Sequence, residues 1–486
     1  MATPLWLTLA NEGSGTTIAD TSSGTPVNLA ITAGGTGAWA SQGSAGQGYG
    51  WTAATSTGRA AATASGTKIA TALNGGKQVC IECAITLASG SITPGTAGIC
   101  TFGPGLFIAT DDMISLQWPS SGEADNSHLK VAAVLNGTDN NYSEFPTLSL
   151  GYQVIQLIVD TSQATAANRI QGYVNGFKAA LTQNQAVPPQ NSTFGSAATL
   201  ETGTLSLFAQ SITGYSYAFG ALYSSASMLT GSDCLSHALR LFGTNDADPN
   251  AAGVALLAAS TNGGTNDVSS STADHSLSFT ITIGSGANRK VGISVAYFGV
   301  TTGVTSITFN GSSTGVHLTA QQQATFTSLA GCDYYEILDA NLPAAGTYTI
   351  AVTVDGALGV ACGSPLYVEG VAQSYSTNTG LATGTGTSLT ATLGSNAVAG
   401  SLLVGELLDV SFGDTPVSGS NQLRLVSQQT SSVIEQTVDG KYVPTAGANS
   451  MSWSGLTNTT GKIGIAVEVQ LFPSNEALFF GSGTTS

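Results

Sequence analysis

The chain has 486 residues, of which 42% are hydrophobic, 61 are glycine and only 8% are Asp, Glu, Lys or Arg, against about 25% in an ordinary globular protein; its formal net charge is −16. That length exceeds a single core and supports two or three, and the apolar fraction excludes a disordered chain. Nucleic-acid binding is excluded because it needs basic stripes, and the one adjacent cation pair is Arg289–Lys290; no run of 18 apolar residues is present to form a membrane-spanning helix.

The N-terminal segment Met1–Glu12 has no Lys or Arg and no long apolar run, so we expect no secretory signal. Residues 78–87, 97–110, 113–119, 128–135, 148–160, 168–181 and 204–223 are rich in β-branched and aromatic residues. They alternate or run apolar, with Gly, Asn, Asp or Pro between them, which is the pattern of strands. Asn175-Gly176 between Tyr173-Val174 and Phe177-Lys178 marks a two-residue hairpin, and Asn136-Gly137 repeats the signal. One segment breaks this pattern. Leu235, Ala238, Leu239 and Phe242 recur at helical spacing, with Ser232 as the expected N-cap and Gly243 as the stop. This is the one helix the sequence predicts, with His237 inside it.

Thr244–Asn250, with its polar turn formers and Pro249, reads as a linker. Strands resume at 276–283, 290–300, 304–310, 316–320, 333–338, 346–354, 366–373, 401–410, 421–428, 431–437 and 462–472. Strands at about ten-residue spacing without helices between them predict a sandwich or jelly roll. The expectation is therefore all-β: two β-sandwich, jelly-roll-like domains with one short capping helix between them. They span 1–243 and 254–473, with a linker over 244–253, a tail over 474–486 and no internal repeat of one unit. Leu478-Phe479-Phe480 in the tail suits docking on a neighbouring subunit or local packing.

The six cysteines are Cys80, Cys83, Cys100, Cys234, Cys332 and Cys362. Cys80 and Cys83 spell C-x-x-C, but on an alternating strand. Positions three apart face opposite sides, so the two cannot share a metal or a disulfide. Buried free thiols are expected, with a Cys332–Cys362 bridge as the alternative.

Motifs that carry chemistry are sparse. Gly311-Ser-Ser-Thr-Gly315 spells G-x-S-x-G, but strands flank it on both sides, where a nucleophile elbow needs a helix after it. Glycoside hydrolysis needs two carboxylates around one bond. Glu82 stands alone on its strand, and Glu336 and Asp339, three apart, face opposite ways. Asp246-x-Asp248-x-Asn250 opens like a calcium loop, but Ala251 and Leu257 stand where the loop needs Gly and Glu. Asp111-Asp112 marks a turn. His128, His237, His275 and His317 are far apart, with no carboxylate at ligand spacing. No catalytic, metal or cofactor site follows, and no cofactor is expected. The acids read as scattered, mostly in turns. Among the aromatics beside Gly-rich loops (Trp39, Tyr49, Trp51 and Trp118), Trp51 and Trp118 are the candidates for stacking on a glycan, against a packing role.

Two resemblances follow from particular segments. Leu157-Ile-Val-Asp160, the Tyr173-Val-Asn-Gly-Phe-Lys178 hairpin, Phe219-Gly-Ala-Leu-Tyr223 and the helix at 232–242 resemble the concanavalin A-like, LamG-type sandwich over residues 1–243. Such domains bind glycans, bind calcium or only assemble. Arg289–Val295, Val304–Gly311, Tyr334–Leu338, Pro343–Val352, Tyr367–Val371 and Ile465–Gln470 resemble in order and spacing a β-sandwich module of phage virion and bacterial surface proteins. Together they imply a non-enzymatic virion surface protein, made in the host cytoplasm. A capsid decoration or head-fibre protein, self-associating as a homotrimer beside the major capsid or tail protein, is the first expectation. A tail adhesin binding host-surface glycans is the second. Neither nucleic acid nor membrane is an expected partner.

Overall fold

A computed structural model describes residues 2–32, 38–41, 49–52, 59–87, 100–108, 113–118, 129–135, 142–146, 148, 151–183, 187–195, 197–204, 215–243, 255–259, 265–267, 275–299, 303–324, 330–354, 360–410, 414–430, 434–457 and 461–471. The linker at 244–253, the Asn136-Gly137 turn, Asp111-Asp112, His128, the Asp246–Asn250 segment and the tail at 474–486 lie outside them. The chain divides into two compact units, Met1–Ala251 and Ala252–Ser486.

The first unit is built on an eight-stranded and a nine-stranded antiparallel sheet. Alternation sets their faces. In the strand Gln78–Leu87, Val79, Ile81, Cys83 and Ile85 enter the core, so Cys80, Glu82 and Ala84 point to the other face. The neighbouring strand Gly151–Asp160 adds Ile155, Leu157 and Val159, and the opposing sheet supplies Leu106, Ile114, Leu116, Val131 and Leu200. Asn175 and Gly176 take φ of 53° and 83°, the left-handed pair a two-residue hairpin needs, and close Tyr173–Lys178 as expected.

The helix Gly231–Gly243 lies against the strand Gly151–Asp160. Its cap is Thr230 and not Ser232. The Asp233 amide donates to Thr230 Oγ1 at 3.2 Å, while the Thr230 amide donates to Asp233 Oδ2 at 2.9 Å. This reciprocal pair satisfies two donors that a helix start leaves open. A second helix, Lys68–Leu73, capped by Thr67, is one the sequence does not predict. Six residues give fewer than two turns, too few for a 3.6-residue period to show.

The second unit holds two sandwiches where the sequence led us to expect one. In the first, the strands are Ala255–Ala259 with Thr265–Asp267, then His275–Ile283, Lys290–Phe298, Val304–Phe309, His317–Ala324, Ala330–Leu338, Gly346–Val354 and Val360–Glu369. In the second they are Thr379–Gly384, Leu389–Thr392, Leu402–Asp409, Val417–Ser418, Leu423–Thr430, Ile434–Tyr442, Ser450–Ser454 and Lys462–Val469. Counting each set from one to eight, both build a large sheet in the order 1-8-3-6-5 and a three-stranded sheet in the order 2-7-4. The two sets are one topology used twice, which overturns the expectation of no internal repeat. Leu342-Pro-Ala-Ala-Gly346 and Val443-Pro-Thr-Ala-Gly447 occupy the same place before the seventh strand, and Leu342 and Val443 enter the two separate cores.

The large sheets of the two repeats pack face to face. Strand 8 of each lies against strand 5 of the other, and strand 3 of each against strand 6 of the other, so the contact has approximate two-fold symmetry. The three-stranded sheets cover the opposite faces. The side of His275–Ile283 turned from its core carries exposed Ser276, Ser278, Thr280 and Thr282, and Leu389–Thr392 carries exposed Thr390 and Thr392.

Candidate functional site

A cluster of titratable groups in the first unit lies beneath the helix Gly231–Gly243. Glu82 is carried on the outer face of its strand, opposite Gln156 on one side and Ala221 on the other. His237 reaches it from the helix, with Nδ1 3.0 Å from Oε2 and 3.2 Å from Oε1. Tyr223 donates its hydroxyl to Oε2 at 2.8 Å. Gln156 Nε2 donates to Oε1 at 3.1 Å and to the Cys234 carbonyl at 3.0 Å. Glu82 is thus partnered, and His237 has its carboxylate, contrary to the expectation that each stands isolated. Burial pushes the His237 pKa down, but the charge and hydrogen bond of Glu82 pull harder, so it is raised.

A carboxylate holding an imidazole is the orienting half of a catalytic triad, and it can hold a proton. Here both groups are sealed: Glu82 is 0% and His237 1% exposed. The arrangement ties a helix to a sheet and presents no face to a substrate.

The same use of charge runs through the chain. Twelve acidic side chains are buried among the described residues, and most of the described acids lie on strands, not in turns as the sequence suggested. Asp20 accepts from the Val27 amide at 2.9 Å and pairs with Lys68 at 2.8 Å. Asp439 accepts from Trp453 Nε1 at 2.7 Å and pairs with Arg424 at 2.5 Å. Glu336 takes Lys290 Nζ at 3.2 Å and both the amide and hydroxyl of Ser376 at 2.7 Å. Asp339 lies after the same strand and pairs with Arg289 at 2.7 Å. Each staples a loop or strand end.

The glycan candidates divide. Trp51 is 0% exposed and belongs to the core of the first unit. This corrects the expectation of Trp51 as a stacking face, because its ring is covered by apolar neighbours. Trp118 ends the strand Met113–Trp118 in register with Cys100; its side chain lies outside the described residues. Trp39 is half-buried and donates Nε1 to the Gly15 carbonyl at 3.2 Å. A groove of about 230 Å³ opens beside the start of the helix, lined by Gln78, Asp160, Gln171, Tyr173, Met228 and Thr230. No signal in the sequence marked it, because its walls come from three strands and a helix start.

Among the described residues, the remaining motifs do not assemble. Gly311–Gly315 forms the turn between Val304–Phe309 and His317–Ala324. His317 is exposed and stacks on Tyr375 with ring centres 3.9 Å apart. Cys80, Cys83, Cys234, Cys332 and Cys362 are free and buried, so the alternative Cys332–Cys362 bridge is not formed. Burial pushes the Cys80 thiol up to about 12. Among the described residues no group of three His, Cys, Asp or Glu is placed to hold a metal ion.

No family model matches the chain, and no curated protein matches it. Solved structures give distant likenesses. The Trypanosoma rangeli sialidase bound to the inhibitor DANA has a TM-score of 0.32 and 13% identity over 49% of this chain and 32% of its own. The binding domain of botulinum neurotoxin serotype C1 has a TM-score of 0.30 and 11% identity over 58% of this chain and 57% of its own. The heptameric SAP-like pentraxin from Limulus polyphemus has a TM-score of 0.21 and 16% identity over 33% of this chain and 70% of its own. The chain spans about a third of the length of the sialidases it matches. At these scores the likenesses carry no argument about what the chain does.

Proposed function

We propose that this chain is a non-enzymatic structural protein of a virion surface, of the capsid-decoration or head-fibre kind, which self-associates as a homotrimer. The observation that supports it most is where the charge goes. Buried acids serve as ties between loops and strands, and the outward sides of His275–Ile283 and Leu389–Thr392 expose Ser and Thr. A surface of small uncharged hydroxyls packs closely against a partner without desolvating ions, whose burial is costly. The titratable pair most like catalytic machinery, Glu82 and His237, is sealed. Cryo-electron microscopy of virions is the test. The expected result is a repeated position on the capsid, with three copies per site; a soluble monomer absent from purified particles overturns the reading.

A second reading, a tail adhesin for host-surface glycans, is favoured by the groove beside the helix start, where Gln78, Asp160, Gln171 and Thr230 beside Tyr173 suit a sugar unit. Binding on a glycan array that is lost in Gln171→Ala supports it. Absence of binding to host envelopes counts against it.

A further inference from the structure

We infer that the contact between the two large sheets of the second unit is a proton-dependent seam, closed while Glu406 carries its proton and released when that proton passes to water. Each large sheet turns an apolar face to its own three-stranded partner, with Val291, Ile293 and Val295 in one core and Leu403 and Leu407 in the other. Alternation then turns Ser294 and Glu406 away from those cores, into the seam. Ser364 lies in register with Ser294, and Gln436 in register with Leu408 on the face of Glu406.

A chain of amides crosses this layer. Gln428 Nε2 donates to Ser364 Oγ at 3.1 Å and to the Gly363 carbonyl at 3.2 Å. It also donates to Gln436 Oε1, which accepts from Ser364 Oγ at 3.4 Å. Gln436 Nε2 donates onward to Glu406 Oε1 at 2.5 Å. The chain ends at Glu406 Oε2, which is buried with no partner, as is Ser294 Oγ. A protonated Oε2 is a neutral donor in this layer. An ionised one is a buried anion served by a single amide, which favours opening to water.

Among the described residues, nothing facing Glu406 supplies a compensating cation. From the opposite sheet come Cys332, whose Sγ lies 4.0 Å from the Ile463 carbonyl, together with Tyr334 and Cys362. Burial raises both the Cys332 thiol and the Tyr334 phenol. On its own sheet, the flanking strands place Val438 and Ile465 in register with Glu406. Asp333, on the far face of the opposite sheet, adds repulsion. Lys290, at the end of its strand, is engaged by Glu336 at 3.2 Å and the Ser374 carbonyl at 3.0 Å. Burial, opposed by the Gln436 hydrogen bond, raises the Glu406 carboxyl to about 8.

The free thiols of the seam report its state. In the full chain, maleimide labelling of Cys332 and Cys362 is followed by peptide mass spectrometry at pH 6 and pH 9, in the wild type and in Glu406→Gln. At pH 6 both proteins label slowly. At pH 9 we expect the wild type to label at least tenfold faster than Glu406→Gln; the Glu406 charge raises the Cys332 thiol, so its removal alone would make the variant the faster, and thiol titration does not produce the expected result. Equal rates at pH 9 overturn the proposal. Should Glu406→Gln fail to fold, Glu406→Met, which fills a similar volume without a proton to lose, takes its place under the same criterion.

Discussion

Glu82 and His237 stand 155 residues apart in sequence and 3.0 Å apart in the fold, and both are buried. Removing one partner of such a pair strands the other in a low-dielectric site. Glu82→Ala should therefore cost about 3–5 kcal/mol, measured by denaturant unfolding. The pair also carries a pH signature. Because the folded His237 pKa is raised, its contribution is fully present below the unfolded value near 6.5 and is lost as pH rises through the raised value. Stability of the first unit should fall across that window, and Glu82→Gln should flatten the fall. Trp51 makes the complementary case. As a core residue at 0% exposure, its replacement by Ala should cost about 3–5 kcal/mol in the same assay. A ligand-stacking surface residue would leave stability nearly unchanged.

The helix Gly231–Gly243 shows how much a single element leaves readable. Its apolar spacing and its Gly243 stop were visible in the chain, because both act within one turn. Its start was displaced by two residues: Thr230, Ser232 and Asp233 can all cap, and only the reciprocal bonds between Thr230 and Asp233 choose among them. Thr230→Ala should lower stability by about 1 kcal/mol, seen as a lower thermal midpoint, whereas Ser232→Ala should have little effect. The strands were legible for the same local reason as the helix. Period-two alternation assigns Val79, Ile81 and Ile85 to one face, and it correctly placed Cys80 and Cys83 on opposite faces. The partner of Glu82 was not legible, since nothing within its strand points to residue 237.

Across the second unit, one eight-strand topology occurs twice, and the contact between the copies is a buried layer of aliphatic side chains, Leu408, Val438 and Ile465 among them, threaded by one chain of polar groups. That layer and its surroundings make the unit sensitive to pH. Burial raises Asp333 to about 7 and Glu406 to about 8. A carboxyl with a raised folded pKa holds a proton that the unfolded chain gives up, so its stabilising effect is greatest in acid. Stability of this unit should fall as pH rises from about 4, near the unfolded carboxyl values, to about 8, and level beyond. Each tenfold difference in proton affinity between the folded and unfolded chain is worth about 1.4 kcal/mol. Thermal unfolding between pH 4 and pH 9 checks this, and Glu406→Gln should remove part of the slope.

By itself the sequence determined what is local: an all-β chain, the Asn175-Gly176 hairpin, one helix and its face, and few charges. These follow from side-chain alternation and turn chemistry, which act over two to four residues. The tertiary structure alone decided what is not local: Glu82 under His237, Trp51 in the core, acids as buried ties, and one sandwich used twice across a seam. Repeats keep strand register while side chains change, so Leu342-Pro and Val443-Pro become recognisable as equivalent only once pairing across about a hundred residues has aligned them.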